Sequence, residues 1–207
     1  MPEPTVGLLV PIQAKEGSEA ELAALLASAR PLIQQEANTL AWFAVQLEAP
    51  GAYGLFDTFT DDAARTAHIQ GEVPKALLGK GSDLMATVPP QMINIDVLAT
   101  VMGPKDAVVT VGLLVYLKAK ADQVEAVDKF LRSAVPLVEA EPETTHWAAV
   151  RITGTNTFVI ADSFPNEAGR TAHVTGKVAE ALFANADALL ESPPEIKKTT
   201  VLASNIN

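Results

Sequence analysis

Apolar residues in the first hundred positions follow two spacings in turn, which predicts strands alternating with helices. Residues 5–13 alternate in character and are rich in β-branched residues, as in a half-buried strand. Residues 16–36 repeat leucine at helical spacing, and Pro31 is expected to kink that helix. Strands are predicted again over 40–48 and 53–59, and the turn APGA joins them as a hairpin.

The rest of this segment predicts a second helical region and a last strand. Thr60 or Asp61 is expected to cap a helix that carries the run Arg-Thr-Ala-His. The stretch SDLMATV, residues 82–88, predicts a short helical piece ended by two prolines. Residues 91–100 predict the final strand. The order is β-α-β-β-α-β, the split arrangement typical of ferredoxin-like domains.

The same pattern occurs twice. TVGLLV at residues 5–10 recurs 105 residues later, at 110–115, and the same offset aligns Trp42 with Trp147. It also aligns the run ending in His68 with the run ending in His173. The second copy predicts helices near 122–141 and 166–184. The predicted organisation is a first ferredoxin-like repeat over residues 1–101, a linker over 102–107, and a second repeat over 108–207.

The fold class predicted from this order is α+β, with two tandem repeats in one chain. Each ferredoxin-like sheet has helices on one face only, and its other apolar face must be covered. The second copy is the natural cover, so the two antiparallel sheets are expected to pack into a barrel-like core within the chain. The alternative is that each half pairs with a half of another chain, which would make a homo-oligomer.

Composition removes several classes of function. The net charge of −10 and the scattered lysines and arginines argue against nucleic acid and anionic membranes as partners. Apolar runs are shorter than the roughly 20 residues of a membrane span, and the N-terminus lacks a signal-peptide layout, so a cytoplasmic location is expected. There are no cysteines, and the three histidines lack metal-ligand spacing. No nucleotide-binding motif occurs, so we expect neither metal nor cofactor.

Short motifs carry a resemblance to a known family. The strand endings DTF and DSF, the helix runs TAHI and TAHV, and the apolar strand after a proline resemble the antibiotic-biosynthesis-monooxygenase type of dimeric α+β barrel. The resemblance implies oxygenation of a small phenolic molecule, without metal or flavin, in a pocket between helices and sheet. It implies His68 and His173 as catalytic bases that remove the phenolic proton.

Two departures from the family favour a different function. Phe59 and Phe164 stand where active members carry Trp, and the first strand lacks the Asn of the haem-degrading branch. The alternative is therefore a non-catalytic small-molecule-binding or structural barrel protein. In that case the helix histidines would hold the fold by hydrogen bonds to the sheet or a loop.

The candidate substrate-binding residues form four pairs across the repeats. They are Trp42 and Trp147, Asp57 and Asp162, Phe59 and Phe164, and Arg65 and Arg170. The tryptophan, aspartate and arginine pairs also have a structural interpretation. The tryptophans are favoured as core, and each arginine is expected to pair with a nearby acid.

Asp57 lies on an apolar strand face and needs a partner, because burying an unpaired charge is costly. An ion pair with Arg65 is favoured over a dyad with His68. Gly71, three residues after His68, indicates either close packing or room for a ligand. His146 aligns with Ala41 and is interpreted as incidental.

Overall fold

The computed structural model describes residues 2–207 and, within them, eight strands and eight helices in two copies of one order. The elements of the first repeat are β1 (Val6–Gln13), α1 (Glu19–Ala27), α2 (Arg30–Ile33), β2 (Thr39–Leu47), β3 (Ala52–Phe59), α3 (Asp62–Ile69), α4 (Glu72–Gly81) and β4 (Ile93–Met102). Those of the second are β5 (Val111–Lys118), α5 (Val124–Ser133), α6 (Val135–Glu139), β6 (His146–Ile152), β7 (Thr157–Phe164), α7 (Glu167–Val174), α8 (Lys177–Leu189) and β8 (Glu195–Ile206). The four strands predicted in the first repeat are confirmed.

Local chemistry explains where the helices begin and break. The predicted kink at Pro31 is confirmed, since the first helical region is divided into α1 and α2. Asp61 caps α3, because its carboxylate accepts a hydrogen bond from the Ala64 amide at 2.8 Å. Asn166 caps α7 in the same way. None of the helices in the described residues is both long and apolar enough to cross a bilayer.

The prediction of a short helix over SDLMATV is wrong, because the helix lies earlier, at Glu72–Gly81. Pro74 and two glycines give that segment poor helix propensity, but Val73 is buried against the sheet. Tertiary packing therefore overrides local preference. Residues 82–88 instead form turns and bends, with one isolated bridge between Met85 and Ala14.

The eight strands close into one barrel in the order β1-β3-β2-β8-β5-β7-β6-β4. The start of each fourth strand pairs with the first strand of its own repeat, and the remainder pairs with the second strand of the other repeat. Thus β4 pairs with β1 and β6, and β8 pairs with β5 and β2. The expectation that the barrel closes within one chain is confirmed, and the two repeats interlock through four strands.

Alternation along the strands separates two kinds of core. In β3, Phe56 faces the barrel interior, whereas Leu55 and Phe59 face the helices of the first repeat. Trp147 and Phe164 face the helices of the second repeat. The molecule therefore has two helix-side cores and one barrel interior. Successive polar residues on a strand alternate between a helix-side core and the barrel interior, because their side chains point to opposite faces of the sheet.

Candidate functional site

His68 is held on both ring nitrogens by carboxylates from two other elements. Its Nδ1 lies 2.7 Å from Glu36 Oε2, in the loop between α2 and β2, and its Nε2 lies 3.5 Å from Asp57 Oδ2 on β3. The same Glu36 oxygen accepts a hydrogen bond from the Thr39 hydroxyl at 2.7 Å. The ring of Phe59 packs against the imidazole with centroids 5.1 Å apart. Loop, helix and strand are thus joined through one side chain.

The second repeat contains the same arrangement. His173 Nδ1 lies 2.5 Å from Glu141 Oε2, and its Nε2 lies 3.3 Å from Asp162 Oδ2. The Thr144 hydroxyl donates to Glu141 at 2.9 Å, and Phe164 packs on the imidazole at 5.2 Å. We call each set of three ionisable residues a Glu–His–Asp bridge. Each occupies the region between the helices and the sheet where the sequence predicts a site.

The carboxylates of the two bridges raise the pKa values of both histidines. Burial alone would lower the pKa of His173, but Asp162 and Glu141 together raise that pKa to about 9. The pKa of His68 is raised in the same way, against the effect of burial, by Glu36 and Asp57. In the protonated His173 ring both nitrogens carry hydrogens that face carboxylates. At neutral pH that ring has no lone pair with which to abstract a proton.

The aspartates of the bridges are deeply buried. Burial raises the pKa of Asp57 to about 7, although the nearby His68 opposes that rise. Burial raises the pKa of Asp162 as well, again against the effect of His173. In each bridge the neighbouring histidine favours the ionised aspartate, and the effect of burial on the aspartate pKa outweighs it.

The prediction that Asp57 forms an ion pair with Arg65 is wrong. Asp57 faces His68, as in the dyad alternative, while Arg65 pairs with Asp62 on its own helix and donates to the Gly7 carbonyl at 3.3 Å. Helix phase explains the difference, because the buried face of α3 carries Ala64 and His68. Arg65 lies at the edge of that face and reaches the β1 backbone instead.

Arg170 repeats this behaviour in the second half of the chain. It pairs with Glu167 on its own helix and donates to the carbonyls of Gly112 and Thr199 at 3.2 and 3.0 Å. Its role in the structure is to tie α7 to the two neighbouring strands β5 and β8.

The aromatic candidates lie in the helix-side cores. Trp42, Trp147, Phe59 and Phe164 are each 0% exposed. They present no face on which a ligand could stack, and the preference for a core role of the tryptophans is confirmed. Neither indole nitrogen has a hydrogen-bond partner within residues 2–207.

The glycines that follow the histidines make room for the bridges. A Cβ on Gly176 would stand 2.8 Å from Glu141 Oε1, and one on Gly71 would stand 3.4 Å from Glu36 Oε1. A side chain at either position would collide with the bridging carboxylate or with the backbone of the preceding helix. Of the two alternatives for these glycines, the geometry supports close packing.

The space between helices and sheet beside His68 is small. A cavity of about 50 Å³ adjoins His68 and Asp57 on the sheet side. A cavity of about 150 Å³ is known to hold benzene, so this one is too small for an aromatic ligand. On the other side, a groove of about 290 Å³ opens along Glu36 and His68, with Gln35, Asn38 and Glu72 among its polar lining.

A larger space lies elsewhere, at one end of the barrel between the two repeats. We call this cleft of about 700 Å³ the barrel-mouth cleft. Its lining includes the apolar residues Leu9, Pro11, Val45, Leu47, Phe56 and Leu114 and the polar residues Gln13, Glu48, Tyr116, Glu195 and Lys197. Tyr116 and Lys197 contact each other, with the ammonium 4.7 Å from the ring centroid. Gly54 lines this cleft and, having no side chain, leaves space open in it. The aligned residue in the second repeat is the larger Val159.

The sequence analysis does not identify two pairs of residues at the bridges, the glutamates and the threonines that donate to them. Glu36 and Glu141, and likewise Thr39 and Thr144, are related by the same offset of 105 residues that aligns the histidines. That register was the available signal, because a carboxylate repeated in a loop just before a repeated Trp indicates a shared role. Among residues 2–207, no group of His, Cys, Asp and Glu side chains is placed to hold a metal ion.

No protein-family model matches this sequence, and no curated protein matches it. A putative monooxygenase from Lactobacillus acidophilus NCFM has a similar structure, with a TM-score of 0.82 and 15% identity over 99% of this chain and 97% of that one. A ferredoxin-fold protein related to antibiotic biosynthesis monooxygenases, from Listeria monocytogenes 4b F2365, gives 0.56 and 9% over 97% and 96%. A protein of unknown function from Nitrosomonas europaea is 45% identical over 48% of this chain and 95% of its own, with a TM-score of 0.46.

The first two likenesses extend over nearly the whole chain in both directions, and at their low identities they concern the fold. Together with the closed eight-stranded antiparallel barrel, they identify the architecture that the strand and helix motifs indicate. The chain has the ferredoxin-like fold of the antibiotic-biosynthesis-monooxygenase type, with two repeats closed into a single α+β barrel.

Proposed function

We propose that this chain is a non-catalytic small-molecule-binding protein of monooxygenase-like fold, and that its ligand occupies the barrel-mouth cleft. The observation that carries the proposal is the cleft itself, about 700 Å³ with a largely apolar lining. Ligand pockets in proteins measure roughly 300–1,000 Å³ and combine apolar walls with a few polar groups. A small aromatic molecule matches that size and lining.

The geometry of the bridges supports a structural role for the helix histidines. A general base needs a free lone pair within reach of the proton that it removes. In both bridges the ring nitrogens face carboxylates instead.

The ligand site can be tested by filling it. On Gly54 a Cβ would meet Val45 at 3.6 Å and Leu47 at 3.8 Å, which are ordinary contacts. Gly54→Val is therefore expected to fold while narrowing the cleft, and to weaken binding of 1-naphthol by tenfold or more in a calorimetric titration. The matched control is Gly79→Val, at a position on α4 where a Cβ meets nothing within 4 Å.

The control variant is expected to bind 1-naphthol as the wild type does. Equal affinity of Gly54→Val and wild type would remove the barrel-mouth cleft as the ligand site. Loss of binding in both variants would point to a general effect of valine on stability, and the unfolding midpoints of the two variants would reveal it.

A second candidate function rests on one further observation. The groove of about 290 Å³ beside His68 is large enough to admit a phenol next to Glu36 and His68, which is the arrangement expected for a cofactor-independent monooxygenase. Oxygen uptake with a panel of hydroquinones separates this candidate from the first. Uptake by the wild type that is lost in His68→Ala or His173→Ala would favour the oxygenase, and equal rates would exclude the histidines as bases.

A further inference from the structure

His146 differs from the other two histidines in facing the barrel interior. It lies on β6 and is 1% exposed. One ring N–H donates to the backbone of Ala161, which leaves Nε2 without a hydrogen-bond partner among residues 2–207. The rings of Phe43 and Phe56 flank it, with centroids 4.8 and 6.0 Å away.

This environment keeps the imidazole neutral. Burial lowers the pKa of His146 to about 4, and the hydrogen bond to Ala161 offsets that only in part. In a neutral imidazole that donates through one nitrogen, the other nitrogen carries a lone pair. His146 Nε2 is therefore a buried acceptor with no donor, which most proteins avoid unless the group has a use.

A second polar group without a partner stands beside it. Ser163 on β7 is the residue directly opposite His146 in the antiparallel pairing. Its hydroxyl also lacks a hydrogen-bond partner within residues 2–207. Directly opposed side chains start from Cβ atoms about 4.5–5.5 Å apart, so one small polar group can contact both.

A small cavity beside this pair shares part of its lining with the barrel-mouth cleft. It measures about 20 Å³, room for one water-sized group, and His146, Ser163 and Thr199 lie on its wall. Val45, Phe56 and Leu114 line both this cavity and the barrel-mouth cleft. The two spaces share these three side chains, and the polar pair lies on the wall of the smaller one.

We propose that His146 and Ser163 form the polar end of the ligand site, and that the ligand is a ring compound bearing a phenol-type hydroxyl. The hydroxyl donates to His146 Nε2 and accepts from the Ser163 hydroxyl, which satisfies both groups with one atom. The ring lies in the apolar part of the barrel-mouth cleft, beside Phe56. This assignment rests on the proposed function and adds to it the chemical class of the ligand.

The test compares 1-naphthol with 1-methoxynaphthalene, which keeps the ring and has no hydrogen to donate. The wild type is expected to bind 1-naphthol about five- to tenfold more tightly in calorimetric titrations, the range of one net hydrogen bond. His146→Phe keeps an aromatic ring between Phe43 and Phe56 and removes the acceptor. It is expected to abolish the preference and to retain the affinity for 1-methoxynaphthalene.

The outcomes separate this inference from the proposed function. If the wild type binds both compounds equally, or if His146→Phe keeps the preference, the polar end is overturned while the barrel-mouth cleft survives. If neither compound binds the wild type, the proposed function fails, and this inference with it.

A measurement on the wild type keeps the test decisive if His146→Phe does not fold. The ¹⁵N resonance of His146 Nε2 is expected to move on addition of 1-naphthol and to stay in place on addition of 1-methoxynaphthalene. An unchanged resonance in the presence of bound 1-naphthol would overturn the assignment.

Discussion

The two helix-side cores and the barrel interior treat the same side chain in opposite ways. His68 and His173 are buried between carboxylates, and their pKa values are raised. His146 is buried among phenylalanines, and its pKa is lowered. Burial alone favours the neutral ring in all three cases, so the partner and not the depth decides the charge.

The comparison also shows why a repeated motif is an uncertain guide to chemistry. The histidines in the duplicated run have both ring nitrogens engaged. His146, which has no counterpart in the first repeat, has a free one. Both repeats keep the histidine that joins loop, helix and strand, whereas the histidine with a free ring nitrogen lies at a position where the two repeats differ.

The largest effect is expected from breaking a bridge. In His173→Leu, the carboxylates of Asp162 and Glu141 lose their cation, and removing one partner of a buried ion pair costs about 3–5 kcal/mol. The free energy of unfolding from urea titration measures this loss. His146→Phe, which leaves no charge unpaired, is the matched comparison and is expected to cost less than about 1.5 kcal/mol. Similar costs for the two variants would refute the contrast between the compartments.

The next effect concerns pH and has opposite signs in the two compartments. The folded-state pKa of His173, about 9, lies above the unfolded value of 6.5, so its contribution to stability is complete below pH 6.5 and is lost as pH rises through 9. Burial raises the pKa of Asp57 from 3.8 to about 7, so its contribution to stability is also lost as pH rises. The pKa of His146 is lowered, so its contribution is lost as pH falls from 6.5 through 4.

Two measurements check these signs. The free energy of unfolding is expected to decline between pH 7 and about 9.5, and to decline less in His173→Leu. In ¹H–¹⁵N spectra at pH 7.5, His173 is expected to be protonated and His146 neutral. A neutral His173 at that pH would mean that its bridge does not hold a cation.

The smallest effect concerns a buried polar group that has no partner at all. The amide nitrogen and oxygen of Asn205 are both unpaired within residues 2–207, and the residue is 1% exposed beside Trp42. The second repeat is one residue shorter before its last strand, so the equivalent position on β4 is Val101, which pairs with Trp147 as Asn205 pairs with Trp42. Asn205→Val is expected to stabilise the protein by about 1 kcal/mol, since an unbonded buried polar group carries a desolvation penalty. Thermal unfolding measures the change, and destabilisation would imply that the amide has a use.

Much of the fold could be predicted because the strands alternate strongly and the chain repeats itself. TVGLLV and its second copy fix the register of two ferredoxin-like units, and an uncovered sheet face predicts the barrel. Helix α4 could not be predicted, because its stability comes from packing of Val73 and not from propensity.

The candidate site was predictable only in part. The sequence indicated His68 and Asp57, and it left open whether Asp57 meets His68 or Arg65, which the phase of α3 decides. Glu36 comes from a loop without periodicity, so no local pattern points to it. The barrel-mouth cleft is lined by residues that are distant in sequence, such as Phe56 and Leu114, and no spacing in the chain indicates that the barrel brings them together.

The interlocked fourth strands have a consequence for symmetry. A barrel built from two identical chains repeats every interior residue about a twofold axis, so any new side chain appears twice. Here the two halves are covalently joined and differ in sequence. Phe43 and Phe56 of one half face His146 of the other, while the aligned residues are Ala148, Ala161 and Ala41. Two large aromatic rings of one repeat therefore meet a polar ring of the other, an asymmetry that a barrel of two identical chains could not have.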